Sequence, residues 1–448
     1  MQRRSSPSED AQWQGVQKLE HETSPANSPH YIGTTSPLDK CFSDTLLLSM
    51  AIQFIARPLT ESQKQVIRDL VPILKQEGDQ ITNEFYKIMV RKYAGMLTFF
   101  NKTDQKLMRQ PKIMAFCLLR YAECIDDLTP LQDFIDQIVN KHIGLQIVPE
   151  HYQYFGEGLI AAFEEMLEEG ATPQFLEAWT IAYANLAKLL IDMENKRNAL
   201  LPWTGFRRFK VVKLVMESSA VRLVYFTPED PNHRIMMPQP GQYVCIRWMI
   251  NGEIITREYL VLWIPLDNMY RISVKHLPNG LVLGHVHQNL TEGDILQVAP
   301  PGGQFVFSED PPQYAKKWVF VIGGIGITPT IPIMQRALEQ GVAVQLMWSN
   351  KTSAVRPFVT QLRQWEHQYP NFSVTEFHTQ QEPQDLIGSE GYERRIIYDD
   401  IKHFKNSTHY VHLVGPRGFM NEIKLMLDGM LFTNVTAEFY GPTLFLFM

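Results

Sequence analysis

The sequence predicts three folds in series: an all-α domain, an antiparallel β-barrel, and an α/β domain built on a parallel sheet. Three observations carry this reading. From Leu59 to about Asn195, apolar residues recur at helical spacing and no strand-like run intervenes. After Leu201-Pro202-Trp203 the chain turns to short β-branched and aromatic runs separated by turn residues. From Trp318 onward strand-like and helix-like runs alternate, as they do where crossover helices connect parallel strands. The 448 residues suit about three domains at roughly 150 residues each.

In chain order, residues 1–58 read as a disordered tail followed by a short apolar segment. The tail is rich in Ser, Pro, Gln and charge, and cannot bury enough apolar surface to offset its ordering entropy. Cys41–Ala56 is apolar but falls short of the ~20 residues of a spanning helix. Ser43, Asp44, Ser49 and Gln53 interrupt it, and it lacks the flanks of a signal peptide, so no integral membrane role is expected. The all-α domain is expected over 59–196. Thr60-Glu61-Ser62-Gln63 marks a helix start and Gly78 a stop, with Ile81, Phe85, Ile88 and Met89 on one face of the next helix. Further helices are expected over Ile113–Cys124, Leu131–Gly144, His151–Leu167 and Gln174–Asn195.

The β-barrel is expected over 205–310, from runs such as Val211–Val215, Val221–Tyr225, Tyr243–Arg247 and Tyr270–Val274. Pro240-Gly241, Asn251-Gly252 and Asn279-Gly280 punctuate them as turns. The α/β domain is expected over 316–448, with strands at Trp318–Ile322, Val342–Trp348 and Tyr410–Val414. Helices follow from Thr330, near Phe358–Gln368 and over Phe419–Leu427.

Composition narrows the function. The net charge of −6 gives no basic footprint for nucleic acid. Four cysteines form neither a disulfide framework nor a Cys-x-x-Cys pair, which fits a reducing, cytoplasmic setting. Cys117 and Cys124 read as two core positions on one helix face.

Two stretches carry chemistry. His142 shares a helix face with Ile135, Ile138 and Leu145, and Tyr152 follows the Val148-Pro149 break at the start of the next helix, where its hydroxyl can fold back. Glu194 sits on a stripe with Ala187 and Leu190, an odd place for a carboxylate without a partner. A ligating imidazole donates its second N–H to such an acceptor. A core histidine satisfied by a backbone carbonyl is the plain alternative. On the other side, Tyr86 and Gln110 are candidate polar groups and Phe100 a ring to pack against a flat group. The second stretch is Gly323-Gly324-Ile325-Gly326-Ile327-Thr328-Pro329, which follows an apolar strand and opens a helix. Glycines there admit a phosphate to the backbone and the helix N-terminus favours its charge; a plain tight turn is the alternative.

These residues lie in segments that resemble a known family. Residues 59–195 look like the globin domain of flavohaemoglobins, in Glu84-Phe85-Tyr86-Lys87-Ile88-Met89, the run from Phe99 to Gln105, Gln110-Pro111-Lys112, the run from Lys141 to Tyr152, and Ala178–Tyr183. The resemblance implies that His142 is the proximal ligand of haem b and that Tyr152 and Glu194 form its relay. It implies that Tyr86 and Gln110 hold bound dioxygen, Phe100 packs on the haem, and Lys141 tunes the redox centres. The likeness continues over 205–448. Pro240-Gly241-Gln242-Tyr243 and Arg257-Glu258-Tyr259-Leu260 resemble the flavin strands of a ferredoxin-reductase-like barrel. FAD would meet Tyr243, Arg257, Glu258, Tyr259 and Leu260, with Arg257 on the pyrophosphate and Tyr259 on the isoalloxazine. NADH or NADPH would meet Gly324, Ile325, Gly326, Ile327, Thr328 and Pro329. Val414–Met420 matches the second nicotinamide loop, and Phe439, Tyr440, Gly441 and Pro442 match the family's C-terminal aromatic segment.

The activity this implies is nitric oxide dioxygenase: nitric oxide becomes nitrate, with O2 and NAD(P)H consumed through FAD and haem, by a cytoplasmic monomer. Three positions depart from the family. Leu260 stands where a serine reaches the flavin, Leu283 where a serine meets flavin phosphate, and Val414 where a cysteine precedes Gly-Pro. Each lost hydrogen bond costs ~0.5–1.5 kcal/mol. Two other readings therefore stay open: a haem gas-binding or sensing globin with a degenerate reductase half, or a reductase turned to ferric iron, quinone or lipid peroxide.

Overall fold

In the computed structural model, which describes residues 52–93, 109–239, 241–264, 268–278, 280–303, 317–382 and 384–438, helices form first. The tail 1–51 and the candidates Phe100, Phe439, Tyr440, Gly441 and Pro442 lie outside the described residues. The helices are α1 (Glu61–Asp69), α2 (Val71–Lys92), α3 (Arg109–Glu123), α4 (Gln132–Leu145), α5 (Pro149–Leu167) and α6 (Pro173–Asn198). Thr60 starts α1 with a capping box: its hydroxyl accepts from Gln63 N–H, and the Gln63 side chain accepts from Thr60 N–H. Gly78 is not a stop. It lies inside α2, where an added Cβ would stand 3.3 Å from Ala115 Cβ on α3, so its missing side chain lets the two helices cross closely. The break comes earlier, at Leu70, where the proline of Val71-Pro72 opens a new helix.

Phe85, Phe163 and Trp179 centre the core of these helices. The end of the apolar segment belongs to it. Phe54 packs edge-on to Tyr183, ring centroids 5.1 Å apart, in the notch above Gly156, and Gln153 Nε2 donates to Ile52 O at 2.8 Å.

Seven strands follow: β1 (Arg207–Met216), β2 (Val221–Pro228), β3 (Tyr243–Ile250), β4 (Glu253–Leu260), β5 (Leu262–Ile264), β6 (Met269–Lys275) and β7 (Ile295–Val298). They pair antiparallel in the order β4-β3-β7-β1-β2-β6-β5. The sheet curls round one core: Phe209, Val224, Ile246, Trp248, Tyr270 and Val274 point inward at alternate positions. Helix α7 (Leu281–Gln288) adds Val282 and Val286 to that core.

The last sheet is parallel, in the order β11-β10-β9-β8-β12-β13. Its strands are β8 (Lys317–Gly323), β9 (Ala343–Asn350), β10 (Phe372–His378), β11 (Glu390–Tyr392), β12 (His409–Val414) and β13 (Val435–Glu438). Helices α8 (Thr330–Glu339) and α9 (Val359–Gln368) return the chain toward β9 and β10, and α10 (Arg417–Gly429) follows β12. From β8 the chain builds outward through β9 and β10, then crosses back to β12 on its other side. The crevice between the carboxyl ends of β8 and β12 is thus a topological switch point, where open α/β sheets bind ligands.

Candidate active site

His142 stands in the last turn of α4. The helix ends when Gln146 turns left-handed (φ 58°), and Ile147 N–H closes on His142 O at 2.9 Å. Pro149 opens α5 straight afterwards, with Val148 N–H donating to His151 Nδ1 at 3.2 Å. This short reversal puts Tyr152, in the first turn of α5, back against the histidine. His142 Nδ1 lies 2.9 Å from Tyr152 Oη and 2.8 Å from Glu194 Oε1, while Tyr152 O–H donates to the same carboxylate oxygen at 2.5 Å. Tyr183 O–H fixes the Tyr152 backbone, donating to its carbonyl at 2.6 Å.

Charge assigns the roles. Glu194 is 3% exposed and has two donors pointed at one oxygen, the condition for keeping a carboxylate in a core. Burial first, and then the Glu194 charge, hold Tyr152 above the usual phenol range, so it keeps its proton. With an acceptor at Nδ1, the imidazole carries its proton there and presents the Nε2 lone pair. Among the described residues Nε2 makes no hydrogen bond. A free imidazole nitrogen backed by a carboxylate has the chemistry of a metal ligand, and it fits the haem iron that the sequence led us to expect.

Tyr86 and Gln110 occupy another wall of the same domain. Thr82, one turn before Tyr86 on α2, donates to Pro111 O at 2.8 Å, which draws the start of α3 alongside. Burial first, and then Cys117, keep the Tyr86 hydroxyl protonated and able to donate. Gln110 Oε1 is buried with no partner among the described residues. A buried amide left short of one bond is a polar group with room for one further partner.

The face of α4 next to His142 meets the β-domain. Lys141 Nζ lies 2.5 Å from Glu258 Oε2 on β4 and 5.4 Å from the centroid of the Tyr243 ring on β3. Gly144 packs so closely that an added Cβ would be 3.1 Å from the Tyr243 ring and 3.4 Å from Cys245 Sγ. Alternation divides the expected flavin residues. Tyr243, Glu258 and Leu260 share the face toward α4, whereas Arg257 and Tyr259 lie opposite Ile246 and Val244 on the other face. Tyr259 reaches the core, its ring 5.9 Å from Trp248 and its Oη buried without a partner among the described residues. Leu283 is packed on the β-domain core, and Leu260 is buried at 8% exposure on the face it shares with Tyr243 and Glu258.

At the switch point β8 ends in Gly323 and the chain makes one 3-10 turn, Gly324–Ile327, before α8. Gly324 takes φ +55°, a region glycine enters without cost. An added Cβ on Gly326 would meet Val414 O at 2.9 Å, so the turn interlocks with the end of β12. Thr328 Oγ1–H donates to Ile325 O at 2.5 Å, and Trp348 Nε1–H to Gly324 O at 3.0 Å. The turn has the open backbone and following helix that a dinucleotide phosphate needs.

Lys275 escaped the sequence reading. Its Nζ lies 3.2 Å from where a Gly324 Cβ would stand. The available signal was the alternation of Arg271, Ser273 and Lys275 along one run, which does not by itself say what covers that face.

Comparison with known proteins agrees with this geometry. Family models match in the same order: globin over residues 83–190, oxidoreductase FAD-binding domain over 208–307 and oxidoreductase NAD-binding domain over 320–424. The chain is 46% identical over 401 residues to the flavohemoprotein of Candida albicans, covering 88% of this chain and 99% of that one. It is 42% identical over 405 residues to that of Schizosaccharomyces pombe, covering 88% and 95%. In fold it is similar to a crystal structure of flavohemoglobin from Malassezia yamatoensis with bound FAD and heme, with a TM-score of 0.74 at 24% identity over 86% of this chain and 100% of that one.

Proposed function

Since the chain belongs to the flavohaemoprotein family, an oxidoreductase family with haem, FAD and NAD(P)H as cofactors, we propose that it is a nitric oxide dioxygenase, oxidising nitric oxide to nitrate with O2 and NAD(P)H. The observation that carries the proposal is the His142–Tyr152–Glu194 triad. When bound, the dinucleotide and flavin supply electrons and the haem iron supplies the gas-binding centre.

The residues have these roles in our reading. His142 Nε2 would hold the iron, and Glu194, accepting from Nδ1–H, makes the imidazole a stronger donor, which favours oxygen activation over storage. Tyr152 holds the carboxylate and its proton in place. Tyr86, which keeps its proton, would donate a hydrogen bond to a gas held there, and Gln110 would supply the second polar contact. Phe100 would pack on the haem. Lys141, paired with Glu258, joins the haem helix to the flavin strands. Tyr243, Glu258 and Leu260 from one face, and Arg257 and Tyr259 from the other, would hold FAD. Gly324, Ile325, Gly326, Ile327, Thr328 and Pro329 would take the dinucleotide, with Phe439, Tyr440, Gly441 and Pro442 beside it. We take the boundaries to be 59–196, 205–310 and 316–448, and the working form to be a cytoplasmic monomer. Among the described residues no helix is long and apolar enough to cross a membrane.

Leu260 favours a second reading, a gas-binding or sensing globin with an idle reductase half: a buried leucine offers the flavin no hydrogen bond. The test is to add NADH and nitric oxide in air to the purified, cofactor-loaded protein. Stoichiometric loss of NADH and nitric oxide with formation of nitrate is the expected result. Haem bands with no NADH-dependent loss of nitric oxide would replace the enzyme with the second reading.

A further inference from the structure

The segment that leads into α1 is extended, and its residues alternate. Ile52, Phe54 and Ala56 are partly buried, whereas Gln53, Ile55 and Arg57 are exposed. It is fastened to α5 at one end and to α6 at the other. Gln153 Nε2 on α5 donates to Ile52 O at 2.8 Å. Asn185 on α6 grips Arg57 twice, its Oδ1 accepting from Arg57 N–H at 2.9 Å and its Nδ2 donating to Arg57 O at 2.9 Å. The Arg57 guanidinium adds a contact to Glu177 at 2.8 Å, exposed and therefore weak. Between these points the Phe54 ring fills the notch that Gly156 leaves. A Cβ on Gly156 would stand 2.4 Å from Phe54 Cζ and 2.6 Å from Tyr183 Cε1, so the two rings share the place of the missing side chain.

Tyr183 carries this contact inward. Phe54 holds its ring edge-on, and its hydroxyl donates to Tyr152 O at 2.6 Å. Burial holds that hydroxyl above the usual phenol range, against the opposing pull of Gly156 N–H, so it stays a donor. Tyr152 in turn bonds Glu194 and lies 2.9 Å from His142 Nδ1. Phe54, Tyr183, Tyr152 and His142 therefore stand in line, from the chain's leading segment to the imidazole. The position of a phenol is set by what its ring packs on as well as by its hydroxyl. Without Phe54 the Tyr183 ring has open space beside it in the notch, and a ring that swings carries its hydroxyl away from Tyr152.

We propose that Ile52–Arg57 is a positioning strap for the His142 relay: Phe54, seated on Gly156, fixes the Tyr183 ring, and Tyr183 fixes where Tyr152 meets His142 and Glu194. This deepens the reading of His142 as the iron ligand and rests on it. Phe54 is a positioning residue and acts through Tyr183. The strength of the iron–histidine bond reports its effect, because the partners at Nδ1 set the orientation of the ring and how strongly Nε2 donates.

The test is resonance Raman spectroscopy of the haem- and FAD-loaded protein in its reduced form. The unchanged chain is compared with Phe54→Ala, Tyr183→Phe and the double variant. Phe54→Ala should shift the iron–histidine band, and Tyr183→Phe, which loses only a hydroxyl, should shift it in the same direction. The double variant should shift it no further than Tyr183→Phe alone, because two changes on one path do not add. If Phe54→Ala leaves the band in place and only lowers the thermal midpoint, the strap merely stabilises the domain and the proposal is overturned. Full addition in the double variant, or a band indifferent to Tyr183→Phe, overturns it as well. Should the alanine chain fail to hold haem, Phe54→Leu is read in its place. Leucine fills the notch but lacks the ring edge that meets Tyr183, so its band must shift too, and an unshifted band overturns the strap. No nitric oxide is added, so this result and the dioxygenase assay can fail independently. An unchanged chain with no iron–histidine band would remove His142 as the ligand and the strap's role with it, whereas a band that ignores Phe54 removes the strap alone.

Discussion

Glu194 governs what His142 can be. A carboxylate that accepts from Nδ1–H both fixes the tautomer and adds electron density to Nε2, and it does so from a buried position where water cannot screen it. Glu194→Gln keeps the shape and removes the charge. The expected outcome is a lower iron–histidine stretching frequency by resonance Raman and a fall of roughly 10–100-fold in nitric oxide consumption, the usual cost of losing such a partner. Flavin reduction by NADH should not change, and an unaltered stretching frequency would remove Glu194 from the relay. At this scale the sequence was legible where chemistry and chain direction coincide. The Val148-Pro149 break predicted that Tyr152 folds back on His142, and the carboxylate in an apolar stripe predicted a partner for Glu194. Lys275 was not legible, because its meaning comes from Gly324, which reaches it only through the docking of two domains.

Between elements, the decisive contact is α4 against β3 and β4. The helix that presents His142 touches the strands expected to hold flavin through Gly144, while Lys141 is pinned to Glu258. Gly144→Val tests whether this closeness matters. Within a helix the change is favourable by a few tenths of a kcal/mol, so any loss arises at the contact, where the new side chain must displace the Tyr243 ring. Haem reduction by NADH should slow by roughly tenfold or more in stopped-flow traces, as a small misplacement of reacting partners commonly does, while flavin reduction keeps its rate. Equal rates for both steps would show that the contact does not set the transfer. Such glycines mark the limit of reading elements from sequence. Gly78 looked like a stop by local propensity, yet its packing against Ala115 offsets the ~1 kcal/mol a helix loses there. Periodicity located the helices expected over Ile113–Cys124, Leu131–Gly144, His151–Leu167 and Gln174–Asn195, because burial of one face fixes that period; it missed the break at Leu70 and could not tell a glycine that ends a helix from one that lets another helix approach.

Across the whole molecule, two histidines are buried neutral at opposite ends of the chain. His151 caps α5 in the all-α domain, and burial pushes it down to about 4. His412 lies in β12 of the α/β domain, stacked on Phe320 with ring centroids 4.6 Å apart, and burial pushes it down to about 3. In the unfolded chain both return to an ordinary value near 6.5. As pH falls below that value the unfolded chain takes up protons that the folded one refuses. Stability is therefore full above about 6.5 and is lost progressively down to the folded values, before most carboxylates begin to titrate. Because one histidine lies in the all-α domain and the other in the α/β domain, mild acid should loosen both ends of the electron path together. For His412 alone, the fall from pH 6.5 to 5 amounts to about 2 kcal/mol, at 1.36 kcal/mol per unit. His412→Phe keeps an aromatic ring against Phe320 and cannot be protonated, so its thermal midpoint should drop less between pH 7 and pH 5 than that of the unchanged chain. Parallel drops in the two proteins would mean that His412 takes its proton in the folded state, and the acid sensitivity would then have to come from His151 and the all-α domain.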